Sequence, residues 1–449
     1  MRPSPPKALI GLLLCALLMH AAHAQTPASR LINEIAERSE LMPNLEELCD
    51  GIGPRLTGSV QLRTAQAWAM DKLRRYGAVD VRLEAYELGK PWRRGIARAR
   101  LVNASGIALD IAQQAWTEGT GGVVMADVAV LDVKTLEQFK AAAPALRGKI
   151  VLVVSAPKAA PEVDEAIRAA QFAAVLFASD KEGKLLDMWG GPNSRFKRSA
   201  AIISKSSASL LKRLLAKGVV PRLEMELTGR FGKQSVQAYN VVADLPGTDG
   251  SGEMVILGAH QDSWDLGSGA TDNGSGTVVM MEVLRAMHAA GLKPRRSLRV
   301  VLFSGEEQGL LGSKAYLAAH RAGLDKIQAV IVQDAGAGRI TGFPDMKVEA
   351  WYAALSTAMA PARELGPLDL AYAVSKGSDH SPFFDHGIPA FAAMQDLLNY
   401  RSHTQHSEAD SIDHVRQADL VQAAQVIAVT AWGLLNGERL PQQPRIETP

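Results

Sequence analysis

The stretch VILGAHQDSWDLGSGATDNGSG, residues 255–276, ends an apolar run in His260 and then delivers Asp262, Asp265 and Asp272 among glycines and serines. Asp, Gly, Ser and Asn are turn formers, so a turn alone accounts for the composition. An imidazole and three carboxylates on one loop also suit a divalent-cation site, and other segments repeat the pattern. RVVLFSG is followed by Glu306 and Glu307, and QAVIVQ by Asp334. Downstream of IPAF comes YRSHTQHSEADS, with His403, His406 and Asp410. Carboxylates and imidazoles without a cysteine fit zinc or a similar ion better than they fit a thiolate site. Beyond position 24 there are eight histidines, and five of them fall between 380 and 414, a clustering that surface residues do not show. HExxH, GxSxG and GxxxxGK[ST] are all missing, which removes the single-motif zinc, serine-nucleophile and phosphate-cradle readings.

Something must bring these residues together. Apolar runs at 254–259, 299–304 and 328–333, with a shorter one near IPAF, are separated by helical segments such as TVVMMEVLRAMHAAG. That alternation predicts an α/β fold, a mostly parallel sheet covered by helices on both faces. Ligands of such sheets bind beyond the carboxyl ends of the strands, and each candidate residue follows a strand. Upstream, residues 30–50 read as helical, GIGPRLTGS as a loop, QLRTAQAWAMDKLRRYG as a helix and VDVRLEAYEL as a strand. After WRRG at 92–95 the character changes to short strands such as GKIVLVVS and AAVLFAS, with helices such as ASLLKRLLAKG between them. Residues 96–230 therefore read as a compact α/β insert without a catalytic constellation of its own. It interrupts a discontinuous domain of 25–95 and 231–440, and PQQPRIETP at 441–449 reads as a disordered tail.

Hydrophobic residues make up 47% of the 449 and charged residues 21%, the balance of a soluble globular protein. Arg2 and Lys7 precede ALIGLLLCALLM, and AHA at 22–24 supplies a small-x-small cleavage site. The run is short for a bilayer span. The expectation is a signal peptide over 1–24 and an exported chain, periplasmic or secreted, with no membrane anchor after cleavage. The remainder balances 47 Lys and Arg against 47 Asp and Glu, so no basic stripe argues for nucleic acid. Only Cys49 remains past the leader, which excludes a disulfide framework and reads as a core residue.

GAHQDSWD with GATDNGSG, FSGEEQGLLGS, the Asp-ended strand before AGAG, GSDHSPF and HSEADS resemble the two-zinc exopeptidases. That family includes the bacterial secreted leucine aminopeptidases and glutamate carboxypeptidase II. IGPRLTGS, WRRG and HQDSWD bring the likeness closest to its carboxypeptidase Q branch. The resemblance spans nearly all of the chain past the leader. It implies that the insert is a protease-associated domain and that two Zn2+ are bound per chain. It further implies that Asp272 bridges the zincs, that His260 and Asp334 complete one, and that Glu307 and His406 complete the other. Glu306 would be the general base on a bridging hydroxide. Two cations about 3.5–4 Å apart need a shared anion between them and together acidify a water. A carboxylate beside that water can take its proton and pass it to a leaving amine. Adjacent residues in extended chain point oppositely, so Glu306 and Glu307 can divide these jobs. Asp262, two residues after His260, faces the same way and can orient its imidazole. The Asp272–Asn273 peptide is expected to be cis, as the family suggests. His406 is preferred to His403 because it heads the H-S-x-x-D-S pattern. Asp379, His380 and Tyr400 stand as further contacts to the ligands or the substrate, beside a turn or packing role.

The reaction expected from this likeness is hydrolysis of a terminal peptide bond in short peptides or dipeptides. The sequence leaves open whether the amino or the carboxyl terminus is read, and dimerisation is expected from the likeness alone. A receptor-like binding protein on the same scaffold would lack ligands, and none of the five is missing. A glutaminyl cyclase-like acyltransferase would use one zinc and has less need of the insert.

Overall fold

A computed structural model describes residues 25–103, 106–156, 161–194 and 197–444. The leader expected over 1–24 lies outside the described residues. Six strands form the central sheet: β1 Val79–Gly89, β2 Val236–Leu245, β3 Met254–His260, β4 Ser297–Phe303, β5 Ile327–Val332 and β6 Ala390–Ala392. Their spatial order is β1-β2-β4-β3-β5-β6. The pairs β4–β3, β3–β5 and β5–β6 are parallel. The pairs β1–β2 and β2–β4 are antiparallel. The parallel half is the one the sequence outlines, with β1 and β2 added along its β4 side as an antiparallel pair. β1 alternates only in its second half, where Ala85 and Glu87 are exposed and Tyr86 and Leu88 are covered, as a strand covered on one face should.

The parallel strands are apolar because both their faces are covered. Every residue of β5 is buried, and every residue of β3 after Met254. Helices α1 Val60–Arg75, α2 Ser275–Ala289 and α3 Gln417–Asn436 pack on one face; Leu311–Ala319 and His380–Asp385 pack on the other. α3 is long and apolar enough for a bilayer, but it is largely buried in this protein, where it lies against α2, β3 and β5. Each buried Val, Leu or Ile contributes on the order of 1.5–3 kcal/mol, and this core is the main source of rigidity at the strand ends.

Residues 97–227 build a second sheet of eight strands with its own apolar core, including Leu101, Ile150, Leu176, Ile203 and Leu223. It leaves and rejoins the rest of the chain through one short ladder, in which Trp92–Arg93 pairs antiparallel with Arg230–Phe231. At the far end of the chain the disorder expected from 441 onward does not hold for its first residues. Pro441 accepts a hydrogen bond from Trp351 Nε1 at 2.7 Å, and Gln443 N donates to Gly387 O at 2.8 Å. Residues 445–449 lie outside the described residues.

Gly258 sits in β3 where the sheet leaves no room for a side chain. A Cβ there would stand 2.8 Å from Phe303 Cε2 and 3.2 Å from Val332 Cγ2. Gly258→Val overpacks this point and should cost about 1–3 kcal/mol of folding stability. The shift of the urea midpoint at constant m-value measures it, and an unchanged midpoint would contradict the packing described.

Candidate metal centre

β3 lies between β4 and β5, and the chain after each of these three strands enters the same crevice. His260 is the last residue of β3 and is fully buried. Its Nδ1 lies 2.9 Å from the Asp262 main-chain oxygen, so a proton there is donated to that carbonyl. Nε2 is left facing two carboxylates, Asp334 Oδ1 at 3.0 Å and Asp272 Oδ1 at 3.2 Å. The other oxygen of Asp272 lies 3.5 Å from His406 Nε2, which in turn is 3.0 Å from Glu307 Oε2. One carboxylate thus stands between two imidazoles. Glu306, His260 and Asp334 offer donor atoms within 4.8 Å of one another, as do His260, Asp272 and Glu307.

The division between Glu306 and Glu307 follows the chain. They sit in a bend rather than in extended chain, closed by Gly309 N and Leu310 N donating to Glu306 O. Glu306 still falls in the group with Asp334 and Glu307 in the group with Asp272. The Asp272–Asn273 peptide bond is cis. Asn273 Nδ2 donates to Gln333 O at 2.7 Å, joining the start of α2 to the end of β5.

Burial and crowding set the electrostatics. Desolvation first, then the charge of Asp334, pushes the Glu306 carboxyl well above its ordinary value. Desolvation raises Glu307 to about 7, with Asp272 adding to it and His406 opposing. For His406 burial opposes the charged form, yet Glu307 and Asp272 together outweigh it and lift the imidazole to about 9. His260 is likewise held well above the usual value by Asp334, Asp262 and Asp272 against the cost of burial. Asp272 Oδ2 and Glu307 Oε1 are buried without a hydrogen-bond partner. Such atoms cost about 1–3 kcal/mol each unless something positive meets them. Four carboxylates, two imidazoles and unsatisfied oxygens aimed inward fit divalent cations with nitrogen and oxygen ligands.

Several expectations gain detail here. Asp262 stands behind His260, but it is the main-chain oxygen that accepts from the imidazole. Its carboxylate lies 3.7 Å away and accepts from Thr57 Oγ1 at 2.8 Å. His406 reaches the cluster through a left-handed backbone conformation, whereas the His403 ring packs on His414. The Trp264 ring lies edge-on to His406. Tyr400 is buried beside Asp272, and desolvation followed by that carboxylate raises its hydroxyl well above the ordinary range. Asp379 is buried at the start of the helix His380–Asp385, and desolvation lifts its carboxyl to about 7. His380 is buried, with Nε2 2.9 Å from Ser375 O.

Asp410, a candidate in the sequence without an assigned role, and Arg55 both act on the main chain around Asp272. Asp410 accepts from Thr271 N and Thr271 Oγ1 at 2.7 Å each and from Asp272 N at 3.1 Å, so it positions the carboxylate between the imidazoles. Arg55 is fully buried and donates to the carbonyls of Gln261, Ser268 and Gly269 at 2.7–2.8 Å, binding the loop from both ends. Its one signal was its place in IGPRLTGS. The second sheet also reaches this region. Lys181 Nζ donates to Arg401 O at 2.6 Å, and Leu186 N donates to the Glu408 carboxylate at 2.8 Å.

Residues 240–431 match the model described as Peptidase family M28. Carboxypeptidase Q of Mus musculus is 29% identical over 414 residues, which is 88% of this chain and 86% of that protein. The Homo sapiens carboxypeptidase Q is 26% identical over 408 residues, covering 88% and 84%. The crystal structure of a peptidase M28 precursor from Shewanella amazonensis superposes with a TM-score of 0.81 at 28% identity, covering 93% of this chain and 98% of that one. A zinc aminopeptidase from Bacillus subtilis shares the fold, with a TM-score of 0.69 at 20% identity over 94% and 98% of the two chains.

The contacts of Asp410 make a separable prediction. Asp410→Asn turns a donor toward groups that themselves donate, and should weaken divalent-cation affinity about 10–100-fold while every direct ligand remains. Competition against a fluorescent chelator reads this directly. Unchanged affinity would show that Asp272 holds its place without Asp410.

Proposed function

We propose that this chain, a metallo-exopeptidase of peptidase family M28, hydrolyses the terminal bond of short peptides with two zinc ions and Glu306 as general base. His260, Asp272 and Asp334 would hold one zinc, and Asp272, Glu307 and His406 the other. The observation that carries this reading is the Asp272 carboxylate, with one oxygen 3.2 Å from His260 Nε2 and the other 3.5 Å from His406 Nε2. When bound, the metals supply Lewis-acid charge that acidifies water and polarises a scissile carbonyl.

The side chains supply the rest. Glu306 faces the His260–Asp334 side of the cluster. From there it takes the proton of the attacking water and delivers it to the nitrogen of the leaving amine, so it is regenerated each turn. Tyr400, buried with its hydroxyl beside the Asp272 carboxylate, would donate that hydroxyl proton in a hydrogen bond to the developing oxyanion. The main-chain oxygen of Asp262 fixes which nitrogen of His260 carries a proton, leaving Nε2 free as a donor to metal. Trp264 limits rotation of the His406 ring.

Dipeptides suit this site best. The second sheet, read as a protease-associated domain, walls one side of the cleft through Lys181 and Leu186, which favours short substrates. Relatives named carboxypeptidase and aminopeptidase both resemble the chain, and a dipeptide carries both free termini next to one bond. The leader-like first 24 residues support export to the periplasm or beyond.

Three measurements test this. Purified protein should contain about two zincs per chain; about one would favour a cyclase-like acyltransferase, and none a receptor. Glu306→Gln should keep that content and lose hydrolysis by about 10²–10⁴-fold, since it removes a base and no ligand. Full activity in this variant would end the mechanism. Acetylating the amine or amidating the carboxylate of a good dipeptide substrate should each reduce kcat/KM by roughly a hundredfold or more, because a buried recognition charge loses its partner. Sensitivity to only one block would replace the dipeptide reading with a one-terminus reading.

A further inference from the structure

The ladder that joins the second sheet to the catalytic half borders a cavity of about 980 Å³. Its floor is built and rigid. Trp92 is buried, stacks near Trp116 with ring centroids 6.4 Å apart, and donates from Nε1 to Thr117 O at 2.8 Å. The Arg94 guanidinium lies 5.0 Å from the Trp92 ring centroid and binds Asp265 with two hydrogen bonds of 2.9 and 2.6 Å. This explains Asp265, which takes no part in the metal cluster.

The other cations of the cavity are not matched. Arg93 and Arg230 stand directly opposite each other in the ladder, and Phe231 stands opposite Trp92. Like charges directly opposite across a strand pair are destabilising. Arg93, Arg230 and Lys233 are exposed, line the same cavity, and make no ion pair among the described residues. The cavity therefore presents four cations against one carboxylate, and that carboxylate is already engaged by Arg94. Leu56 and Val60 line it as well, so its walls are apolar and aromatic between the charges. Guanidinium groups suit planar, two-point recognition of carboxylate, sulfonate or phosphate, and the volume is that of a small-molecule site. None of the metal-cluster residues lines it.

We propose that this cavity is a binding site for a compact organic dianion with an aromatic or apolar body. One acidic group is held between Arg93 and Arg230, where it relieves their mutual repulsion. The other is met by Lys233, with the body against Val60 and Pro91, which line the same cavity. The site is separate from the catalytic centre and does not depend on the reaction assigned to it. It lies at the stem of the second sheet and against the segment Pro54–Gln61, whose Arg55 and Thr57 hold the loop after β3.

Naphthalene disulfonate is a suitable probe, because it combines an aromatic body with two permanent negative charges and binds metals poorly. Calorimetric titration of the full-length, metal-loaded protein should show saturable binding with one molecule per chain, weakening as salt is raised. Arg93→Gln with Arg230→Gln should weaken it about tenfold or more, with the thermal transition not lowered and dipeptide hydrolysis unchanged in the absence of probe. Lys233→Gln alone should weaken it by a smaller factor, and it decides the matter if the double variant does not fold. No saturable binding to the unsubstituted protein, or equal affinity in the variants, overturns the proposal.

Discussion

Asp272 must serve two imidazoles at once, and the surrounding architecture is organised around that demand. A carboxylate between His260 and His406 has to be presented edge-on at a fixed height above the sheet. Its neighbours achieve this without relying on the side chain itself. Asp410 grips the main chain on both sides of the Thr271–Asp272 bond, Arg55 ties the preceding loop, and Asn273 locks the following turn to β5. The first residue of the pair, His260, is fixed by a strand buried on both faces; the second, His406, comes from an irregular segment braced by Trp264.

The protein accepts an electrostatic penalty to do so. Burial raises Glu306, Glu307, Asp379 and Asp410 together, because several carboxylates share a space from which water is largely removed. A core selected for stability alone would not contain such a group, and buried carboxyls with like-charged neighbours concentrate where chemistry is done. The apolar strands and the long α3 helix supply the stability against which this cost is set.

Much of this was legible in the sequence because it rests on one-dimensional rules. A buried parallel strand must end at the sheet edge, so His260, Glu306, Glu307 and Asp334 were readable from their positions at the ends of apolar runs. His406 was separable from His403 only by its motif, since both lie in the same short segment. Features that were not legible depend on distances across the fold. Arg55 acts on residues more than two hundred positions away, and so does Thr57. The role of the Asp262 carbonyl was hidden because the residue offers both a side chain and a main-chain oxygen, and spacing cannot say which is used. The contacts of residues 96–230 with this region were not legible either, because Lys181 gives its side-chain ammonium to a main-chain oxygen and Leu186 its main-chain N–H to a carboxylate, and neither leaves a pattern along the sequence.

β1 and β2 are neighbours in the sheet although 146 residues separate Gly89 from Val236, and the reason they can pair is the short ladder of Trp92–Arg93 with Arg230–Phe231. Paired strands bring the two ends of the second sheet to within about 5 Å of each other. The entropy of closing so long a loop is then largely met by the folding of the enclosed unit itself, not by the sheet edge it interrupts. In modular terms the second sheet behaves as an insertion with a standard socket. It can be exchanged, enlarged or reshaped during divergence without disturbing the register of β3, β4 and β5, so one set of reacting groups can be kept while the wall facing it is rewritten.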